Sequence, residues 1–434
     1  MEMEFTRYKG ILLVVNIVLL AVILSQSIIR DIELEKQYTS DLRNRVVGAR
    51  LQEDGKDPYF YKWKNGESFR YIDPQNADSF KVSNMTSSPA LHDFFRPICD
   101  LSQHSISILW FGFQYLILAV ISLLFFLIVK TTQQRFCVLN FSILFTCTEI
   151  WKSLIAAGQI TLVIGLLITF TIYGLLKSSG WKFVILAAIS STILILIRPA
   201  AAIILIPFVL QYRQFSKYLL YTFGLLLIYS VFVLSNRKEL SLWQSYKSFL
   251  SEQVKIHQQT DPAIQKNDPI PPIKNLEGID LEEALTIQKA NLIRSENGNV
   301  FIIYRHLFHK NISSILLGIL FLFVSLLSLL AMFIKKINFE QIIMLAFLLY
   351  LVSEFFSPIH RHQYYAVQWL PVLLSGIILL KKWNGISAFF IIIGLLLNTF
   401  HVSFLPGAFT IGEFLWAIAV ALVIFTKRTV TVQA

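Results

Sequence analysis

The sequence predicts an all-α polytopic membrane protein, one integral-membrane domain over residues 1–434, and three observations predict it. Hydrophobic residues make up 55% of the chain and charged residues only 15%, with a mean hydropathy of +0.61, far more apolar than a soluble domain needs. The apolar residues fall in runs of the kind that bilayer-crossing helices require. The basic residues stand in pairs beside those runs, so the formal charge of +11 is better explained by membrane topology than by nucleic-acid binding.

Taken in order, residues 10–29 form a first span behind Arg7 and Lys9. The run is long for a signal peptide and no small-residue cleavage site follows it, so it is read as uncleaved. Residues 30–105 are polar, nearly balanced in charge and punctuated by Pro and Gly: a large loop with room for short helices. Spans follow at 106–129, 136–151 and 159–176. The apolar stretch 183–212 is interrupted by Arg198-Pro199. A single helix there would put Lys177/Lys182 and Arg213/Lys217 on opposite sides of the membrane, whereas two short spans turning near Arg198 keep both basic pairs together.

A span at 218–235 leads into a second large loop, 236–310. That loop carries the proline-stiffened turn Asp268-Pro269-Ile270-Pro271-Pro272 and a helix start at Asp280-Leu281-Glu282-Glu283. Spans at 312–334, 339–356, 365–380, 385–400 and 409–426 bring the count to about twelve, within a range of about 10–13. Threaded this way, Arg7/Lys9, Lys130/Arg135, Lys177/Lys182, Arg213/Lys217, Lys335/Lys336, Lys381/Lys382 and Lys427/Arg428 share one side. That side is the cytoplasm, and both termini lie on it. The two loops, the Arg198 turn, Gln159 and residues 357–364 face the other way, so every polar group with chemical potential shares the outer face.

Cys99, Cys137 and Cys147 make no spaced cluster, and no metal site, disulfide framework or cofactor is expected. Neither a Walker A loop nor a dinucleotide fingerprint occurs. Asn84-Met85-Thr86 and Asn311-Ile312-Ser313 match glycosylation sequons at chance level.

Four places could carry chemistry. Asp41 lies just past the first span at the head of a short helix expected to be amphipathic. A carboxylate partly screened from water there suits a general base, and it equally suits a helix cap. Arg198, in an apolar stretch, is either a partner for a phosphate or an interfacial arginine reaching out from a helix end. Ser357-Pro358-Ile359-His360-Arg361-His362-Gln363-Tyr364-Tyr365 offers charge for a phosphate and aromatic faces for a sugar ring; a polar turn with a tyrosine belt is the plainer alternative. Gly158-Gln159 opens a span, as most such pairs do.

In order, these stretches resemble the GT-C superfamily of lipid-sugar-dependent glycosyltransferases, and within it glycosyltransferase family 87, the polyprenol-phosphate-mannose-dependent mannosyltransferase-like proteins. The resemblance rests on Asp41 with Gly55-Lys56-Asp57-Pro58-Tyr59 in the first loop, on Ser87-Ser88-Pro89-Ala90-Leu91 with Arg96-Pro97-Ile98, and on Gly158-Gln159. It continues through Arg198-Pro199 with Pro207, Ser357-Pro358 with its His-bearing continuation, and Leu370-Pro371, covering about residues 10–380. Arg198 stands where the family has lysine, and the His-Arg-His cluster where it usually has tryptophan. Ile160-Thr161 follow Gly158-Gln159 in place of the family's asparagine.

The resemblance implies a GT-C-like bundle and an inverting hexosyltransferase, with mannose as one candidate sugar, in a bacterial inner membrane with its active site outside. Asp41 would be the base. Arg198, His360, Arg361 and His362 would bind the donor phosphate, and Tyr59, Gln159 and Tyr364 the sugar or acceptor. Partners would be membrane lipid, the polyprenyl-phosphate sugar and a glycan or glycolipid acceptor, with no cofactor and no metal. The rival readings are a transporter or flippase of a lipid-linked saccharide, a surface-polysaccharide polymerase or ligase, and a non-catalytic assembly factor. A flippase would need access from the inner half of the membrane too, where no acidic residue suggests an ion relay.

Overall fold

A computed structural model describes residues 2–35, 39–64, 66–73, 81–259, 298–358, 361–379, 385–400 and 407–425. Among them every regular element is a helix. The order begins α1 (Glu2–Glu35), α2 (Ser40–Glu53), α3 (Pro89–Phe95), α4 (Gln103–Ile128), α5 (Thr132–Phe145), α6 (Glu149–Ala157), α7 (Thr161–Leu176) and α8 (Trp181–Ile197). A 3₁₀ turn, Pro199–Ile204, precedes α9 (Leu205–Leu210), α10 (Tyr212–Ser235) and α11 (Arg237–Gln259). The chain ends with α12 (Val300–Phe308), α13 (Ser314–Lys335), α14 (Phe339–Phe355), a 3₁₀ turn over Gln363–Gln368, α15 (Trp369–Leu379), α16 (Gly385–Thr399) and α17 (Ala408–Phe425). The Asp268–Pro272 turn and the helix start at Asp280 lie outside the described residues.

Among the described residues, five helices are long and apolar enough to cross a membrane: Leu13–Glu35 within α1, then α4, α10, α13 and α17. Counting α5 and α6, bent by 58° at their junction, as one broken span makes six. The outer faces of α10 and α13 carry exposed Leu220, Leu227, Ile228, Ile315, Leu322 and Ile334, which lipid tolerates and water does not. The other apolar segments of the sequence reading form shorter helices: α7, α8, Pro199–Leu210, α14, α15 and α16. Among these α14 is the centre of the bundle, buried on every side from Gln341 to Leu351.

The break at Arg198 turns the chain back, and α14 measures the return. Arg198 pairs with Glu354 in the last turn of α14, while Phe215 stacks on Phe339 at its first residue. Those 17 residues span about 25 Å, so the chain between Arg198 and Phe215 runs down the bundle. The expectation of two short segments meeting near Arg198 is met, because proline forces the residue before it out of helical geometry and Arg198 is extended at φ −131°, ψ 87°.

α1 continues beyond the expected span, through Arg30 and Asp31. Asp31 is fully buried and accepts from Arg30 Nε (2.7 Å), Tyr115 Oη (2.7 Å) and Trp151 Nε1 (2.6 Å). Arg30 also donates to the Thr146 carbonyl at the α5–α6 bend (2.8 Å). A buried carboxylate survives when donors surround it, and this one ties α1 to α4 and α6.

The expectation that α2 is amphipathic is corrected. Every residue from Leu42 to Gln52 is buried, because the first loop wraps the helix. Arg43 donates to the carbonyls of Phe69 (2.7 Å) and Ile72 (3.0 Å). Arg50 donates to those of Cys99 (2.7 Å), Leu101 (2.9 Å) and Arg70 (3.1 Å). Charged side chains thus satisfy backbone that the loop cannot pair with itself.

Candidate active site

Asp41 sits in the first turn of α2, half-buried. It is not the cap: Thr39 takes that place, in the left-handed region at φ 58° and without a side-chain capping bond. The carboxylate therefore keeps its oxygens for other partners while the helix dipole favours its charge. Gln159 Nε2 donates to Asp41 Oδ2, and Tyr364 lies within hydrogen-bonding reach.

Gln159 is held from both ends. Its Oε1 accepts from Arg45 Nη2 (2.6 Å) and its carbonyl from Gln114 Nε2 (2.7 Å). A guanidinium can only donate, so Arg45 turns the amide oxygen toward itself and the amide NH₂ toward Asp41. Arg45 also donates to the Asp41 carbonyl one turn back. The reading that Gly158-Gln159 opens a span is corrected. Gly158 closes α6 at φ 64°, with Gly158 N bonded to the Ile155 carbonyl and Gln159 N to that of Leu154, a Schellman-type end. Gln159 lies in the break before α7.

A row of side chains leads from Asp41 to Arg198. Tyr364 stacks on His362 (4.9 Å) and on Tyr365 (5.3 Å), and the Arg198 guanidinium lies 4.8 Å from the Tyr365 ring centre. Arg198 Nη2 meets Glu354 Oε2 at 3.3 Å. Asp41, Gln159, Tyr364, His362 and Arg198 therefore belong to one connected group, at the end of the bundle marked by the C-terminus of α14.

The other expected site residues have different surroundings. Arg361 is buried with Glu413, donating to both of its carboxylate oxygens, and Trp369 Nε1 donates to the same group (2.7 Å). Tyr59 is fully buried and its hydroxyl donates to the Ser87 carbonyl (2.9 Å). His360 lies outside the described residues.

Sequence reasoning missed Arg45, Glu354, Glu413 and His92. Arg45 follows Asp41 by four residues on one helix, a spacing that was visible. Glu354 and Glu413 are acids within apolar runs and could have been matched against Arg198 and Arg361.

His92 packs its imidazole on the backbone of Gly48, where a Cβ would come within 2.4 Å of Nε2, and lies 5.8 Å from the Tyr59 ring centre. Neither ring nitrogen has a hydrogen-bond partner among the described residues. Burial first, and Arg45 second, push its pKa down to about 3. The folded value lies below the unfolded one, so as pH falls the unfolded chain takes up the proton first. The neutral imidazole's contribution is complete above about pH 6.5 and is lost toward about pH 3, at about 1.4 kcal/mol per pH unit. His92→Phe should flatten the fall of thermal stability between pH 6.5 and 4, and an unchanged acid limb would refute this role.

No protein-family model, curated protein or solved structure matches this chain.

Proposed function

We infer that this protein is a membrane glycosyltransferase that moves a hexose from a polyprenyl-phosphate sugar to a lipid or glycan acceptor. The observation that carries the reading is Asp41: a half-buried carboxylate at a helix head, oriented by Gln159, reached by Tyr364 and joined through Tyr365 to Arg198. An acid and a cation so linked suit a reaction that removes a proton at one end and releases a phosphate at the other.

In this reading the acceptor hydroxyl gives its proton to Asp41 as its oxygen bonds to the anomeric carbon. The bond from that carbon to the phosphate oxygen breaks on the opposite face, inverting the centre, and the lipid phosphate leaves with the electron pair. Arg198 and His362 meet the charge that develops on the phosphate. Tyr364 and Gln159 hold Asp41 in place, and Arg361 supports the segment that carries His362; Tyr59, packed on His92, Tyr246 and Phe249, takes no direct part. The twelve-span topology, with both termini in the cytoplasm and this end of the bundle facing outward, belongs to the same proposal.

The test is sugar transfer by purified, reconstituted protein, using radiolabelled polyprenyl-phosphate sugars and membrane-lipid acceptors. Wild type should transfer, and Asp41→Asn should fall by about 10²–10⁴-fold, the usual worth of a general base. Equal transfer by both proteins would sink the assignment; lipid translocation in vesicles without any transfer would favour a flippase.

A further inference from the structure

The two arginine–glutamate pairs at this end of the bundle are built differently. Arg361 and Glu413 are 3% and 0% exposed, doubly bonded and closed off by Trp369. Arg198 and Glu354 are 28% and 10% exposed and share one contact of 3.3 Å. Arg198 Nε is buried without a partner, although a guanidinium has five N–H donors in a planar fork that suits two-point binding of an anion. Its face is occupied by Tyr365, and the Tyr365 and Tyr350 hydroxyls lie within hydrogen-bonding reach, so among the described residues Glu354 is the one charged group that a phosphate would have to displace. Glu354 sits in the last turn of its helix, where the backbone dipole disfavours a negative charge; Arg198 offsets that cost only while the pair is made.

We propose that Glu354 is an internal competitor for Arg198: it holds the guanidinium when the site is empty and yields it to the phosphate of a lipid-linked ligand. The inference rests on the assignment of Arg198 to phosphate and adds a residue that limits affinity. Its consequence is release. A lipid phosphate bound by an uncontested arginine would leave slowly as product, whereas a carboxylate waiting at 3.3 Å re-forms the pair as the phosphate departs.

The test measures binding to purified full-length protein in nanodiscs. The probes are farnesyl phosphate, farnesol as the uncharged chain, and inorganic phosphate as the headgroup alone. Glu354→Gln removes the competitor's charge with little change of shape and should lower the Kd for farnesyl phosphate about tenfold, or about 1.4 kcal/mol, leaving farnesol unchanged. Glu354→Asp keeps the charge but retracts it from Arg198, and should also tighten binding. In an Arg198→Ala background neither change should matter.

The same tightening in that background, or no tightening in either Glu354 variant, would overturn the exchange. If Arg198→Ala binds farnesyl phosphate as wild type does, the phosphate role of Arg198 fails too. If it weakens binding while Glu354→Gln changes nothing, only the competitor role fails. Tightening for inorganic phosphate as well would make the headgroup sufficient; tightening for farnesyl phosphate alone would make the lipid chain part of the site. Should Glu354→Gln not fold, Glu354→Asp carries the test.

Discussion

Glu413→Ala is expected to destabilise the protein by about 3–5 kcal/mol, the usual cost of stripping one partner from a buried ion pair. Arg361 would keep its charge, at 3% exposure, and lose both guanidinium bonds to Glu413, while the Trp369 indole would lose its acceptor. The damage should spread, because this pair anchors a junction. The Arg361 carbonyl accepts from Gly298 N (2.9 Å), and the Gly298 carbonyl accepts from Thr410 Oγ1 (2.6 Å), joining the end of the second loop to α17. Arg361 also precedes the His362–Tyr364 stack, so transfer activity should fall along with stability. Unfolding in detergent, followed by tryptophan fluorescence, would measure the loss. A double replacement, Arg361→Met with Glu413→Leu, should recover most of it, since a packed apolar pair needs no compensation. If Glu413→Ala melts within a degree or two of wild type, the pair is not the anchor described.

Gly158→Val should be nearly as harmful and for two separable reasons. The position has φ 64°, which costs an L-residue about 1–2 kcal/mol and a β-branched one more. In addition, a Cβ at Gly158 would stand 2.6 Å from Leu42 Cβ, pushing α2 away from the α6–α7 break. Leu42 is next to Asp41 and Gly158 next to Gln159, so that displacement would open the Asp41–Gln159 contact. The expected outcome is a lower melting temperature together with loss of transfer. Leu42→Ala should not rescue Gly158→Ala, because the clash reaches the Cβ that alanine retains; restored transfer in that double variant would refute the packing argument.

How much of this was legible beforehand depends on the range of the interactions involved. Apolar run length, the proline at 199 and the clustering of basic pairs are local properties. They marked α1, α4, α10, α13 and α17, the broken α5–α6 pair only as a single span at 136–151, and the turn at Arg198. The buried character of α2 was not legible, because Arg43 and Arg50 satisfy carbonyls supplied by a loop 20 or more residues away. The reading of Gly158-Gln159 as a helix start failed for a related reason: the same pair can end one helix as readily as begin the next, and only the left-handed turn after α6 decides between them.

The sequence by itself determined that this chain is an apolar, all-helical protein with its polar groups gathered into a few segments, since hydrophobicity and charge act residue by residue. The tertiary structure alone decided which of those groups work together. Asp41 meets Gln159 across 118 residues and Arg198 meets Glu354 across 156. Two arginines that read alike in sequence became a sealed pair at Arg361 and a lightly held one at Arg198, because each one's availability depends on how completely a distant carboxylate fills its donors.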